Sequence, residues 1–216
     1  MATEQARDLP RMRRSDMLRA SPRMFDNELL DRLSRVHPIV PVLLFVPAIA
    51  ILFVLGVERA GVGAALLEAA GGLVFWSLTE YWLHRLVFHF EPDHPWGRRL
   101  HWIIHGVHHD HPNDPLRLVM PPSVSVPLAA LFLWVFYLVL GAPAWLAFGS
   151  GFLAGYLTYD MTHYHVHHHT PRTRLGRRLR EQHMRHHFQD HTTAFGVSSP
   201  VWDHVFRTIP RKRRRA

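Results

Sequence analysis

Sixteen of the nineteen histidines in this 216-residue chain lie between His84 and His187. They form four spaced groups rather than a tract: His84 with His89, His105 with His108 and His109, His163 with His167, and His183 with His186 and His187. Imidazole is the commonest side-chain metal ligand and the one ordinary side chain that titrates near neutrality, so this density points to metal or proton chemistry. The regular spacing favours metal.

Positions i, i+3 and i+4 of a helix share a face, so His105, His108 and His109 are expected to aim three imidazoles at a common point. His183, His186 and His187 are expected to do the same, and His163 and His167 form an i, i+4 pair. His84 and His89 are five apart, about 140° around an ideal helix. They either reach two different metals or sit where the helix loosens. The four groups supply ten candidate ligands: His84, His89, His105, His108, His109, His163, His167, His183, His186 and His187. Ten imidazoles are too many for one ion, since a tetrahedral zinc takes about four. Shared between two ions they give about five each, with room for oxygen or water. Imidazole suits iron and zinc alike, and an all-histidine pair of irons fits. The chain has no cysteine, which excludes disulfides, iron–sulfur clusters and thiolate catalysis and leaves nitrogen and oxygen as the only donors. Of the other histidines, His101, His165, His168 and His169 fall to outer-shell or surface positions. His37, His94, His111, His191 and His204 have no ligand spacing and read as structural.

The elements that must position these groups are apolar helices. Four uncharged or nearly uncharged runs, about 39–57, 60–81, 124–140 and 144–159, have the length to cross a hydrocarbon core. Pro41 and Pro47 are placed to bend the first. Gly151 and Gly155 give the small-residue spacing that lets helices approach closely. The chain is therefore expected to be an all-α integral membrane protein with four transmembrane helices and a cytoplasmic helical cap. Residues 1–38 form an arginine-rich N-terminal segment without a signal peptide, either a surface helix or a solvated tail. A membrane domain follows over 39–208, and 209–216 is a basic tail.

Charge sets the orientation. Four crossings place 24 of the 25 Lys and Arg residues on one side and only Arg59 on the other, so that side is expected to be cytoplasmic, with both termini. The basic excess is then topology, and no nucleic-acid partner is expected. Parity places the metal site too. The hairpin at 124–159 returns the chain to the face it left, so all four histidine groups meet at one membrane surface. The scarcity of ionisable residues at mid-span argues against a transport pathway.

These groups resemble the histidine boxes of the fatty acid hydroxylase and sterol desaturase superfamily. His105-Gly-Val-His-His109 followed by Pro112 and Arg117-Leu-Val-Met-Pro-Pro122, then Tyr159-Asp-Met-Thr-His-Tyr164, His186-His-Phe188, Phe195-Gly-Val-Ser-Ser-Pro200 and Trp202-Asp203 are similar to its fatty acid 2-hydroxylase branch. The likeness runs from about Thr79 to Thr208. It implies a dimetal membrane monooxygenase that hydroxylates a long-chain acyl group at carbon 2, free or amide-linked in a sphingolipid. Its cofactors would be two iron ions, with zinc able to substitute in purified protein, and its co-substrate dioxygen. One oxygen atom ends in water, so two electrons come from outside. Many relatives carry a fused cytochrome b5, whereas here 38 residues precede the first span; a separate donor, cytochrome b5 or ferredoxin-like with its reductase, is expected.

The resemblance also implies that Arg117–Pro122 and Phe195–Pro200 either build the pocket rim or pack the cap. The short arginine-rich chain suggests a prokaryotic membrane. Alternatives are another oxidation by the same superfamily, on a sterol, a carotenoid or as a lipid desaturase, and a non-catalytic metal-binding membrane protein. With no carboxylate among the ten ligands, the two metals are expected farther apart than the about 3.5–4 Å of bridged pairs.

Overall fold

The computed structural model describes residues 13–210; the first twelve residues, and the expected basic tail from position 211 on, lie outside them. Among the described residues every regular element is helical. Two short helices, α1 (Arg14–Arg19) and α2 (Glu28–Leu33), precede the long apolar α3 (Ile39–Ala60) and α4 (Val62–Trp82). Gly61 makes the turn between the long pair at φ 82°, a conformation that a side chain would strain. The α4 helix does not stop at the expected end of the span. It runs on into a π-helical turn, Leu83–Phe88.

The first half of the cap follows, with α5 (Pro95–His101), a second π-helical turn (Trp102–Gly106) and α6 (Val107–Asp110). The hairpin is α7 (Pro122–Leu140) and α8 (Ala144–His168), joined through Gly141 at φ 68°. Then α9 (Arg174–Phe188) and the short α10 (Val201–Val205) complete the cap.

Three helical stretches are long and apolar enough to cross a membrane: Ile39–Ala60, Val62–Phe88 and Pro122–Leu140. Their outer faces are greasy, with Leu67 76% and Val139 74% exposed, as suits contact with lipid. The fourth expected span is also a helix, α8, but it is too polar to qualify on the same measure. The reason is its position. Its glycines, serine and tyrosines face protein rather than lipid, because α8 is enclosed by the other long helices, and Phe152, Leu153, Tyr156 and Tyr159 pack with Phe45, Trp76 and Phe136 in the core.

Close approach depends on small residues. A methyl group at Gly72 would strike the Phe148 carbonyl, one at Gly151 the Ala69 carbonyl, and one at Gly155 the Trp76 side chain. Where lipid is as apolar as leucine, contact of this kind rather than water exclusion holds helices together. Its consequence here is a rigid α4–α8 pair whose two ends carry His84 and His163 into the cap.

The N-terminal segment packs onto the cap. The buried Asp31 carboxylate pairs with Arg117 at 2.7 Å and with Arg35 at 3.3 Å, and it accepts from the Met24 N–H at 2.7 Å. Backbone bonds from Val36 to Leu116 and from Asn113 to Leu18 fasten the same segment at two further points.

Candidate metal centre

The ten candidate histidines come together in two sets of five. The first is His84, His89, His105, His109 and His186; the second is His108, His163, His167, His183 and His187. Within each set one ring nitrogen per residue lies within 4.8 Å of every other. Five nitrogens held at the usual metal–imidazole distance of about 2.1 Å would lie no more than about 4.2 Å apart, so each set has nearly the dimensions of a single coordination shell.

The π-helical turn explains the five-residue spacing. With i to i+5 bonding, the repeat lengthens, and residues five apart come onto one face. His84 and His89 therefore enter the same set, their Nε2 atoms 3.3 Å apart, rather than diverging by the angle of an ideal helix.

The expectation that each His-x-x-His-His box aims at one point is corrected. Position i+3 lies about 60° to one side of i and position i+4 about 40° to the other. A helix placed over the seam between two centres thus sends i and i+4 one way and i+3 the other. In the first box His105 and His109 join the first set and His108 the second; in the later box His183 and His187 join the second and His186 the first. Each box serves both sets, in opposite proportion.

The Nε2 atoms are crowded. In the first set His89 lies 2.9 Å from His186, His84 lies 3.2 Å from His105, and His109 lies 3.0 Å from His105. In the second, His163 is 2.9 Å from His108, and His183 is 2.8 Å from His167 and 3.1 Å from His187. A neutral imidazole has one N–H and one lone pair. His84 Nδ1 lies 2.7 Å from the Phe195 carbonyl and His186 Nδ1 lies 2.7 Å from the Thr193 carbonyl, so in both rings Nδ1 carries the proton and donates it outward. Their Nε2 lone pairs then both face His89, which has at most one proton for the two of them. Inward lone pairs outnumber protons, an arrangement a cation satisfies and hydrogen bonding cannot. The donor set fits iron or zinc. Neither set includes a carboxylate.

Protonation is opposed as well. Burial, reinforced by the neighbouring imidazoles, holds His105, His108, His183 and His187 well below the usual histidine range. The same causes push His89 down to about 3 and His109 to about 2. His186 falls to about 4, burial outweighing the Thr193 carbonyl that supports its proton. Neutral imidazole is the form that binds metal.

The remaining histidines lie outside both sets. His111 Nδ1 bonds the Met17 carbonyl at 2.6 Å, and His94 caps α5. His101 lies 4.0 Å from Glu91, His204 bonds Arg178, and His191 stacks over His89. His165 stacks on His169, while His168 packs on Tyr164. His37 accepts from the Ile39 N–H.

The loop Phe195–Pro200 packs the cap, the second of the two expectations, and does not line the cavity beside the histidines. It is bound on both sides instead. Asp203 accepts from the Phe195 and Gly196 N–H groups at 2.9 and 2.8 Å, and Glu80 accepts from those of Val197 and Ser198 at 2.7 and 2.8 Å. Its role is to hold the Phe195 carbonyl against His84. Sequence reasoning missed Glu80, although an ionisable residue near the end of an apolar run, one turn before His84, was a usable signal.

The stretch Arg117–Pro121 does line a cavity, as expected. Its volume is about 450 Å³, and it reaches His105 of the first set and His108 and His163 of the second. Most of its wall is apolar; the non-histidine polar groups are Ser34, Arg117, Ser123, Tyr159 and Asp160.

Comparison with known proteins places this geometry. The family model described as fatty acid hydroxylase matches residues 69–208. A dihydroceramide fatty acyl 2-hydroxylase of Arabidopsis thaliana is 34% identical over 145 residues, covering 67% of this chain and 61% of that protein. The fatty acid 2-hydroxylase of Homo sapiens is 41% identical, over 64% of this chain and 38% of its own length. This chain therefore spans about three-fifths of the plant relative and about two-fifths of the human one. A solved structure described as full-length scs7p, with only its hydroxylase domain visible, matches with a TM-score of 0.77 at 32% identity, covering 87% of this chain and 71% of that one. These relatives lend nothing to the expected prokaryotic membrane. The doubled histidine shell, the surrounding fold and the matched sequence agree, and the chain belongs to the fatty acid hydroxylase family.

Proposed function

We propose that the chain is a dioxygen-dependent hydroxylase of long-chain acyl groups at carbon 2, acting on amide-linked acyl chains of the dihydroceramide type. The observation that carries this reading is the cavity: one mainly apolar space touches histidines of both sets. An acyl chain fills such a space with its carbonyl end toward the histidines. That orientation presents the carbon next to the carbonyl to the metals.

The two sets of five imidazoles would each hold one iron, and the irons would supply the reductive activation of dioxygen. The chain's own part is to keep ten imidazoles neutral and aimed inward, to orient the acyl group, and to exclude water with an apolar lining. Two electrons are needed for each turnover, because one oxygen atom enters the product and the other leaves as water. They come from an electron-transfer donor of the cytochrome b5 or ferredoxin-like type with its reductase. Zinc outcompetes Fe(II) at nitrogen sites, so zinc in purified protein is compatible with iron catalysis. In the membrane we place four crossings, α8 being the sheltered one, with the cap and its arginines on the cytoplasmic side.

Lipid analysis of cells expressing the protein tests this reading. The expected result is 2-hydroxylated acyl amides that vanish with His108→Ala or His186→Ala. Absence of such products, or products indifferent to both substitutions, overturns it.

A further inference from the structure

The cavity has a wall that lies outside the matched stretch. Met24, Phe25, Leu30, Leu33 and Ser34 line it, and the family model begins at residue 69. The mouth is formed by residues that both line the cavity and stand exposed: Leu30 at 49%, Leu33 at 48%, Val87 at 45%, Ile104 at 43% and Val124 at 51%, together with Ser123. All but the serine are large and apolar. An opening rimmed in this way would be unfavourable against water and suits hydrocarbon. Two of the rim residues adjoin the membrane, since Val87 lies at the end of the stretch Val62–Phe88 and Val124 near the start of Pro122–Leu140. The mouth thus faces the bilayer, and α2 lies at it.

The way α2 is held is equally specific. Its Leu30 and Leu33 are one turn apart and share a face, while Asp31 between them turns inward and is 7% exposed. Asp31 binds Arg117, and the Arg117 guanidinium also donates to the Pro22 carbonyl. Arg35 bonds both Asp31 and Ser21, and Arg99 donates to the Met24 carbonyl. These bonds tie the segment from Ser21 to Arg35 to the cap beside the cavity. A buried ion pair is a costly way to gain stability, and its best-attested use is to fix register. Here it fixes the position of two leucines at an entrance.

We propose that residues 24–34 are the substrate-selecting wall of the enzyme, a strap whose Leu30 and Leu33 contact the lipid as it passes laterally from the bilayer to the histidines, held in register by the Asp31–Arg117 pair. The proposal rests on the acyl-lipid reading of the cavity. It assigns to the N-terminal segment a part in specificity that the histidine boxes do not share.

The test uses the full chain, metal-loaded, in phosphatidylcholine vesicles. Two quantities are measured: equilibrium binding of a dihydroceramide with a fluorescent acyl chain, and the ratio of 2-hydroxylated products from an equimolar mixture of short- and long-acyl dihydroceramides. The double substitution Leu30→Trp with Leu33→Trp narrows the mouth. It should weaken binding at least tenfold and shift the product ratio at least threefold while two metals per chain are retained. Leu29→Trp, on the same helix but outside the cavity lining, should stay within twofold on both measures. A double variant that behaves like Leu29→Trp overturns the strap, even where the 2-hydroxylase reading survives. Binding that depends on Leu30 and Leu33 in a protein that yields no 2-hydroxy product supports the strap and sinks the reaction assignment instead. For the register, Asp31→Asn should speed exchange of bound probe severalfold; an unchanged exchange rate would remove the ion pair from the proposal.

Discussion

The two histidine sets are alike in number and element and differ in what stands behind them. In the first, His84 and His186 are tied through Nδ1 to the Phe195 and Thr193 carbonyls, but His89 and His109 are partly exposed. In the second, only His187 is partly exposed, yet the Nδ1 atoms of His167, His183 and His187 are buried without a hydrogen-bond partner among the described residues. The first set has two imidazoles oriented by backbone carbonyls and two partly exposed; the second is more deeply buried, and three of its imidazoles have no such tether among the described residues. Outer partners of metal-bound histidines fix the tautomer and raise ligand basicity. Equal ligand counts therefore do not make equal sites.

The largest expected effect tests whether the sets are separate at all. His84→Ala and His167→Ala should each lower hydroxylation more than about 100-fold, and each should remove one equivalent of metal rather than two, read by elemental analysis of the purified protein. Loss of both metals from either variant would make the two sets one site.

Acid tests what they share. A histidine held neutral in the fold takes no proton while the unfolded chain does, so stability is unaffected above the ordinary value of 6.5 and falls as pH drops below it, levelling off only near the lowered values. For His186, lowered to about 4, the loss between pH 6.5 and 5 is about 2 kcal/mol. Thermal unfolding of metal-free protein at pH 7.5 and 5 should show it, and a melting temperature indifferent to pH would mean the imidazoles are not held neutral.

A smaller effect sharpens the contrast. Asp203→Asn loosens the loop that carries the Phe195 carbonyl, and should weaken metal binding in the first set by about tenfold while leaving the second unchanged. Competition with a chelator of known affinity measures this, and equal weakening in both sets would deny the loop its particular role. The smallest effect concerns rate: release of metal to a chelator should be biphasic, with His84→Ala abolishing the faster phase. A fast phase that survives in that variant would mean exposure of His89 and His109 does not govern access.

What could be read in the sequence was set by periodicity. The ten histidines that cluster were legible as candidates because imidazoles at helical spacing share a face, and their meeting agrees with the parity expected of the apolar runs. The division of each box was not legible. A helical repeat says which residues share a face, but not that the helix lies over a seam between two centres. The π-helical turn at Leu83–Phe88 was visible only as an awkward spacing of five. The tethers to His84 and His186 carry no residue signature, since any residue has a carbonyl. The buried role of Asp31 depends on Arg117, 86 positions away, which no local pattern encodes.

The reciprocal division of the two boxes also bears on how the cap is assembled. Because α6 and α9 each give ligands to both centres, neither centre can be completed without positioning half of the other. The two shells are interleaved like the teeth of a clasp. An ion in either centre therefore fixes both helices, and a single ion should be enough to hold the cap together.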